Sequence, residues 1–495
     1  MATSFPPTAE QAHVLDLFRA GHQTIAVQAG AGTGKTTTLR MLAEGTQLRG
    51  QYVAFNKSIV TEAGRTMPGN VIASTAHSLA FRSVGRRYVH RLKSPRMRSA
   101  QLARELGVDP LVVSLGQVRK VLSSDMLAST VMRSITRFCQ SADRLPTAHH
   151  IPMLPIDGID PETHRQIYGP NNRAVAAHLE PALDKAWADL CNPDGRLPYR
   201  HEHYLKLWQL SDPLIAAKFI LFDEAQDASP VMLDVVRNQD HAQLVLVGDS
   251  QQSIYGFTGA VNAMADVDES TTGYLTQSWR FGQAIAEIAN EILARIPDAV
   301  LRLQGNPSIA SVVAATPQPD TILTRTNAAA LSGLMSGLRQ GLATHIVGGG
   351  EEILRFARAA AKLQAGARTD HPDLACFDSW SEVVDYVAED PLGGELQLLV
   401  GLVEEFGCPA IERALAAQVP EVAADLILST AHKAKGREWG SVQLAGDYPD
   451  DDRTRDPDEL RLTYVACTRA QLELDVTAHP LWCTDLPVTD TESVG

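Results

Sequence analysis

Short runs of consecutive apolar residues recur along the chain, separated by stretches in which apolar positions return every three or four residues. A continuous apolar run of four or five residues reads as a strand buried on both faces, and the longer periodic stretches read as helices covering it. One set of runs is Thr24–Gln28, Tyr52–Phe55, Val71–Ser74, Phe219–Phe222 and Leu244–Val247. A second set is Thr321–Thr324, Thr344–Val347, Leu426–Ser429, Ser441–Leu444 and Leu472–Val476. The pattern predicts an α/β protein with two parallel sheets, each interrupted by a mostly helical insertion. The first interruption starts basic and helix-like and is rich in Pro, Asn and His over residues 145–172. The second, at about 366–424, is smaller. The divisions expected are 1–84, 217–272 for one sheet domain around an insertion at 85–216, and 273–365, 425–495 for the other around 366–424.

Two of the predicted strands end in residues that carry chemistry. After the first comes Gly30-Ala31-Gly32-Thr33-Gly34-Lys35-Thr36-Thr37, with a helix expected from about Lys35. Strand, glycine-rich loop, Lys-Thr and helix in that order form a phosphate cradle. The glycines let backbone N–H groups close around phosphates, the lysine reaches the β- and γ-phosphates, and Thr36 is placed to ligate Mg²⁺. The run Phe219-Ile-Leu-Phe ends in Asp223-Glu224-Ala-Gln226-Asp227. Ligands of open α/β sheets bind at the carboxyl ends of strands. Asp223 is therefore the candidate second holder of Mg²⁺ and Glu224 the candidate activator of the attacking water. ATP and Mg²⁺ are the cofactors this pair of motifs predicts.

The order of motifs resembles the UvrD/Rep/PcrA helicases of superfamily 1A, and in wording most nearly their F-box DNA helicase branch. Asp-Glu-Ala-Gln-Asp is a string specific to that group. Pro7-Thr-Ala-Glu-Gln11 is similar to its Q motif, and Leu246-Val-Gly-Asp249-Ser-Gln-Gln252-Ser-Ile-Tyr255-Gly-Phe257 to motif III. Leu275-Thr-Gln-Ser-Trp279-Arg280 resembles motif IV, Ser429-Thr430-Ala-His432-Lys-Ala-Lys-Gly-Arg-Glu438 motif V, and Glu459-Leu-Arg-Leu-Thr-Tyr464-Val-Ala-Cys-Thr468-Arg469 motif VI. The resemblance implies two RecA-like P-loop cores. It assigns Gln11 to adenine, Gln252 to the attacking water, Trp279 to stacking on the base and Glu438 to the ribose. Arg280 and Arg469 would reach the γ-phosphate from the second core, where guanidinium groups stabilise transferred phosphoryl charge.

The same resemblance gives a track for single-stranded DNA and its junctions with duplex. Phe55, Asn56 and Lys57 fall in motif Ia, and Thr75 and His77 in the next block. Tyr255 and Phe257 lie where the family stacks bases, and Thr430 and His432 are in motif V. Between Arg82 and Arg98 seven Lys or Arg residues crowd together, Arg86 and Arg87 among them. In a chain of net charge −14 that is a local reversal of sign, suited to phosphate contacts. Overall acidity excludes a protein coated evenly for nucleic acid, but not one with a basic groove.

Some features depart from the pattern or suggest other partners. Motif III reads Phe257-Thr258-Gly259 where the family has Trp-Arg-Gly, and motif IV has Ser278-Trp279-Arg280 for Asn-Tyr-Arg. The second insertion is far smaller than the family's accessory domain. The leading expectation is an ATP-dependent helicase moving 3′→5′ on single-stranded DNA in repair, recombination or replication. The alternative is a translocase that displaces proteins, or the ATPase subunit of a complex with a nuclease or repair factor as protein partner. The six cysteines are scattered with no C-x-x-C pair, and no run of about 18 apolar residues appears. A reduced, cytoplasmic chain is expected, nucleoid-associated when on DNA, with no membrane partner. His201-Glu202-His203 lacks a third ligand nearby and is expected to be surface or core histidine rather than a metal site.

Overall fold

The structure is a computed structural model. It describes residues 6–54, 57–93, 97–115, 118–154, 156–157, 167–254, 261–264, 267–369, 371, 374, 377, 379–389, 394–450 and 456–483. The strands in chain order are β1 (Thr24–Ala29), β2 (Gly50–Ala54), β3 (Val71–Thr75), β4 (Leu111–Leu115), β5 (Val118–Leu122), β6 (Phe219–Phe222), β7 (Gln243–Gly248), β8 (Thr272–Leu275), β9 (Val312–Val313), β10 (Thr321–Thr324), β11 (Thr344–Ile346), β12 (Leu426–Thr430), β13 (Trp439–Leu444) and β14 (Ala470–Asp475). By contacts the chain divides into two units, one of residues 1–28 and 35–274 and one of residues 29–34 and 275–495.

The first sheet has the order β3-β2-β6-β7-β1-β8. The pairings of β3, β2, β6, β7 and β1 are parallel. Its central strands are buried along their length, which is why they read as unbroken apolar runs rather than alternating ones. Parallel strands cannot be joined by tight hairpins, so helices cross over between them. One consequence is that Gln28, Ala54, Phe222 and Gly248 end on the same side of the sheet. In β2 the lack of a side chain at Gly50 is required: a Cβ there would lie 2.2 Å from the Phe219 ring.

Between β3 and β6 the chain folds into helices His201–Leu210, Pro170–Cys191, Ser124–Gln140 and Ser99–Leu106, with shorter turns. The expected helical insertion also contains a two-stranded antiparallel hairpin, β4–β5. Its Val112 and Val121 pair across the strands and are exposed. One apolar core is continuous from the sheet (Ala26, Val53, Phe222) into the insertion (Phe138, Leu183, Trp187, Trp208).

The second unit holds an all-parallel sheet of order β11-β12-β10-β13-β14-β9. Helices Trp380–Glu389, Gly394–Phe406 and Cys408–Ala416 fill the second interruption. Their Val383, Val403 and Ile411 share a core with Leu334, Phe356 and Leu428 of this unit. Among the described residues no helix is long and apolar enough to cross a membrane.

One member of the basic run is a structural residue. Arg91 is 3% exposed. It donates to the carbonyls of Asp189 (2.9 Å), Asn192 (2.5 Å) and Leu197 (2.9 Å) and to Asp189 Oδ1 (2.9 Å). Its guanidinium also lies over the Tyr199 ring, 4.9 Å from the centroid. It ties the end of helix Pro170–Cys191 to the following turn and is not available to a phosphate, whereas Arg86 and Arg87 are exposed. Arg91→Met should destabilise the protein by about 3 kcal/mol, since it leaves three carbonyls without the guanidinium and the half-buried Asp189 carboxylate without its counter-charge. Arg86→Ala should stay within about 0.5 kcal/mol. Urea unfolding of the two variants checks the contrast.

His203 gives a pH dependence of known sign. Burial first, then the charges of Arg200 and Arg91, hold its pKa down at about 3. Its Nδ1 accepts from the Arg200 N–H at 3.0 Å. The unfolded chain protonates this ring near pH 6.5 and the folded chain resists. The stability it supplies is complete above pH 6.5 and is lost as pH falls toward 3, at up to about 1.4 kcal/mol per pH unit. The fall in urea midpoint between pH 6.5 and 4 should be shallower in His203→Gln than in the wild type.

Candidate nucleotide site and nucleic-acid track

In the first unit, helix Lys35–Glu44 begins at the lysine of the glycine-rich loop. The Lys35 ammonium lies 3.3 Å from Glu224 Oε2, and both side chains are largely buried. Burial alone would lower the lysine pKa. The charges of Glu224, Asp223 and Asp249 outweigh it and leave the pKa raised. Lys35 is therefore held as a cation facing three acids.

Asp223 is 3% exposed at the end of β6. Its N–H donates to the Val53 carbonyl of β2 at 2.9 Å, continuing the sheet ladder. Oδ1 accepts from the Glu224 N–H at 2.9 Å, and Oδ2 accepts from the Tyr52 hydroxyl at 2.5 Å. Burial and the neighbouring Glu224 push the Asp223 carboxyl up to about 6, against the opposing pull of Lys35 and of the Tyr52 hydrogen bond. Glu224 takes a left-handed backbone, φ 53°, unusual for a residue with a side chain. Such conformations persist where surrounding structure over-determines them and cluster at functional sites.

A chain of side-chain amides runs on from Glu224. Gln226, fully buried, donates to Glu224 Oε2 at 2.6 Å. Its Oε1 accepts from the Asp249 N–H at 3.1 Å. Asp249 Oδ2 in turn accepts from Gln252 Nε2 at 2.8 Å. The ends of β6 and β7 are thereby wired together, and Gln252 sits within that network. The oxygen donors of Asp223 and of Thr36, in the first helical turn, suit a hard cation such as Mg²⁺. Gln11 is also in this unit. Its side chain closes a capping box with Thr8, and its Nε2 donates to Thr38 Oγ1 at 3.1 Å.

The second unit contains the loop 29–34 and both predicted arginines. Gly30, Ala31, Gly32, Thr33 and Gly34 form a tight turn in which Thr33 Oγ1 donates to the Gly30 carbonyl at 2.9 Å. Gly32 and Gly34 have positive φ. A Cβ at Gly32 would lie 2.6 Å from Arg280 Cβ, so side-chain bulk is excluded there. Arg280 donates through Nε to Glu438 Oε2 at 2.6 Å and through Nη1 to the Thr468 carbonyl at 3.0 Å. Arg469, 2% exposed, donates to the Val465 carbonyl at 2.9 Å and to Thr468 Oγ1 at 3.1 Å. The two arginines thus meet around Thr468. Glu438 is held by Arg280 and by Gln471 Nε2 at 3.0 Å. Trp279 is about half exposed.

The proposed DNA-track residues divide by environment. Lys57, Arg86 and Arg87 are exposed. Thr75 and Thr430 are buried, and each caps the helix that follows its strand, accepting from Ser78 N at 3.0 Å and Lys433 N at 3.3 Å. His77 and His432 have lowered pKa values. Burial is the main cause for both, followed by His201 for His77 and by Arg325 for His432. Phe55, Asn56, Tyr255 and Phe257 lie outside the described residues.

Three side-chain groups elsewhere could suggest metal. His203 is buried, and His201 Nδ1 meets the Tyr204 hydroxyl at 3.0 Å. Asp447 and Glu459, from the acidic stretch, are occupied by Arg325 and Thr326. Asp143, His149 and His150 cluster, with both Nε2 atoms within 3.0 Å of Asp143 Oδ2. There the Thr147 N–H donates to His150 Nδ1 at 3.1 Å, which puts that ring's proton on Nε2 and directs it at Asp143. The trio is a hydrogen-bonded cluster.

Sequence reading missed Tyr52 and Gln226 as parts of the site. Gln226 stood inside the quoted Asp-Glu-Ala-Gln string, so a signal existed. Tyr52 did not stand out, because an aromatic within a strand reads as core.

A family model described as an AAA domain matches residues 17–258. The F-box DNA helicase 1 of Gallus gallus is 30% identical over 94% of this chain and 48% of that relative. The F-box DNA helicase protein 1 of Schizosaccharomyces pombe is 30% identical over 94% of this chain and 57% of that relative. The ATP-dependent DNA helicase UvrD2 of Mycobacterium tuberculosis is 26% identical over 53% of this chain and 48% of its own length. The chain spans about half the length of these curated relatives. With a lysine facing acids at the ends of parallel strands, an amide chain joining two of those ends, and relatives of this kind along nearly its whole length, the chain is similar to the UvrD/Rep-type helicases.

Proposed function

We propose that this chain is an ATP-dependent, Mg²⁺-requiring DNA helicase that moves 3′→5′ along single-stranded DNA and couples hydrolysis to strand separation in repair, recombination or replication. The observation that carries the reading is the network Lys35–Glu224–Gln226–Asp249–Gln252, which joins the helix after the glycine-rich loop to the ends of β6 and β7. A nucleotide's terminal phosphate bound at Lys35 would compete for that lysine with Glu224. The release would be felt along the amide chain as far as Gln252, three residues before Tyr255.

In this reading Lys35 and the loop 30–34 hold the phosphates, and Thr36 and Asp223 hold the cation. When bound, the cation neutralises the charge building on the β- and γ-phosphates. Glu224 takes the proton of the attacking water, and Gln252 orients that water. Arg280 and Arg469 stabilise the transferred phosphoryl group, Trp279 and Gln11 hold the base, and Glu438 the ribose. Names of the relatives support DNA as the polymer. Exposed Lys57, Arg86 and Arg87 would meet its phosphates, with Thr75, His77, Thr430 and His432 along the same track.

The test is ATP hydrolysis with and without single-stranded DNA. Wild type should be strongly stimulated by DNA, and Lys35→Ala and Arg469→Ala should lose at least about 100-fold in kcat. Hydrolysis indifferent to DNA would sink the motor reading. Arg86→Ala and Arg87→Ala should each reduce the slope of log affinity for DNA against log salt by about 1, measured by fluorescence anisotropy.

A further inference from the structure

Tyr52 lies in the interior of β2 and is fully buried. Its hydroxyl finds its partner in Asp223 Oδ2 at 2.5 Å. The geometry around that contact is fixed from three directions. Residue 52 is in parallel register with Leu221 of β6, two residues before the aspartate. The Asp223 N–H is tied to the carbonyl of Val53, the residue next to Tyr52. The other carboxylate oxygen accepts from the Glu224 N–H. A carboxylate held at both oxygens cannot rotate about its Cβ–Cγ bond without breaking one of two hydrogen bonds. Its remaining lone pairs therefore point in set directions.

We propose that Tyr52 is a positioning residue of the nucleotide site, whose hydroxyl orients the Asp223 carboxylate for the divalent cation that accompanies the nucleotide. The inference rests on the reading of Asp223 as a cation ligand and adds a residue from a strand that contributes nothing else to that reading. The oxygens fit the cation: carboxylate with a neutral hydroxyl donor behind it is the arrangement in which an outer partner fixes a ligand's orientation and basicity. A core tyrosine with no such role would need only some acceptor for its hydroxyl. Here the acceptor is the buried acid beside Lys35 and Glu224, and the donor is delivered by the strand to which that acid's own backbone is bonded.

Tyr52→Phe removes the hydroxyl and keeps the ring, so packing in β2 is preserved. The probe is Mn²⁺, followed by electron paramagnetic resonance on the full chain in the presence of ADP. Mant-ADP affinity in EDTA reports the nucleotide pocket without metal, and Asp223→Asn serves as the reference variant. Tyr52→Phe should bind Mn²⁺ about 10-fold more weakly, with mant-ADP affinity in EDTA unchanged and the Mg²⁺ needed for half-maximal hydrolysis raised. Wild-type Mn²⁺ affinity in Tyr52→Phe, beside a weakened Asp223→Asn, would overturn the proposal and leave the site reading standing. Unweakened Mn²⁺ binding in Asp223→Asn would overturn the site reading itself. Loss of mant-ADP binding in EDTA by Tyr52→Phe would show that the hydroxyl serves the fold, and that also overturns the proposal.

Discussion

One buried cation faces three acids at the end of the first sheet, and much of this unit is arranged around that imbalance. Lys35 feels Glu224, Asp223 and Asp249 together. Ionised carboxylates out of water are costly unless paired and hydrogen-bonded, and one ammonium cannot pair with three. The chain meets the excess with donors: the Tyr52 hydroxyl and Glu224 N–H on Asp223, Gln226 on Glu224, and Gln251 N–H and Gln252 on Asp249. Even so, Asp223 titrates only at about 6. A site with surplus negative charge and oxygen donors has an electrostatic reason to take up a divalent cation, and a bound cation would bring Asp223 down to full ionisation.

The parallel sheet is what allows this crowding. Strands that run in the same direction deliver their C-terminal ends to one edge, so residues far apart in sequence meet there without any long loop. β2 supplies Tyr52, β6 supplies Asp223 and Glu224, and β7 leads to Asp249 and Gln252. The second unit uses the same geometry for a different purpose. There the arginines are spent on carbonyls, a hydroxyl and Glu438 within their own unit, meeting at Thr468. A guanidinium held this way is pre-oriented.

The strands of both sheets were legible because burial on both faces leaves an unmistakable signal in sequence. Phe219–Phe222 and Thr321–Thr324 fall where the apolar runs put them, and the other runs shift by a residue or two at their ends. β8 and β9 at sheet edges, and the β4–β5 hairpin, did not show. β9 is short, and in the hairpin Val112 and Val121 are exposed, so it lacks the two-sided burial that marks the other strands. The nucleotide motif was legible because its residues are contiguous. Tyr52 was not, since its meaning depends on which strand β2 pairs with. Arg91 was misread as part of a basic surface because charge in a sequence carries no sign of the carbonyls of Asp189, Asn192 and Leu197 that fold back over it.

The two Ser-Thr-Ala-His strings, at 74–77 and 429–432, show how local chemistry sets what a polymer could touch. Each follows a strand, and in each the threonine hydroxyl is an acceptor for a backbone N–H in the first turn of a short helix. The alanine is buried in both. The histidines that follow are half-buried, and burial lowers their pKa values, which favours the neutral ring. Any contact they make with a nucleic acid backbone would then be a hydrogen bond rather than an ion pair, largely insensitive to salt. Lys57, Arg86 and Arg87, by contrast, are exposed cations in a chain of net charge −14.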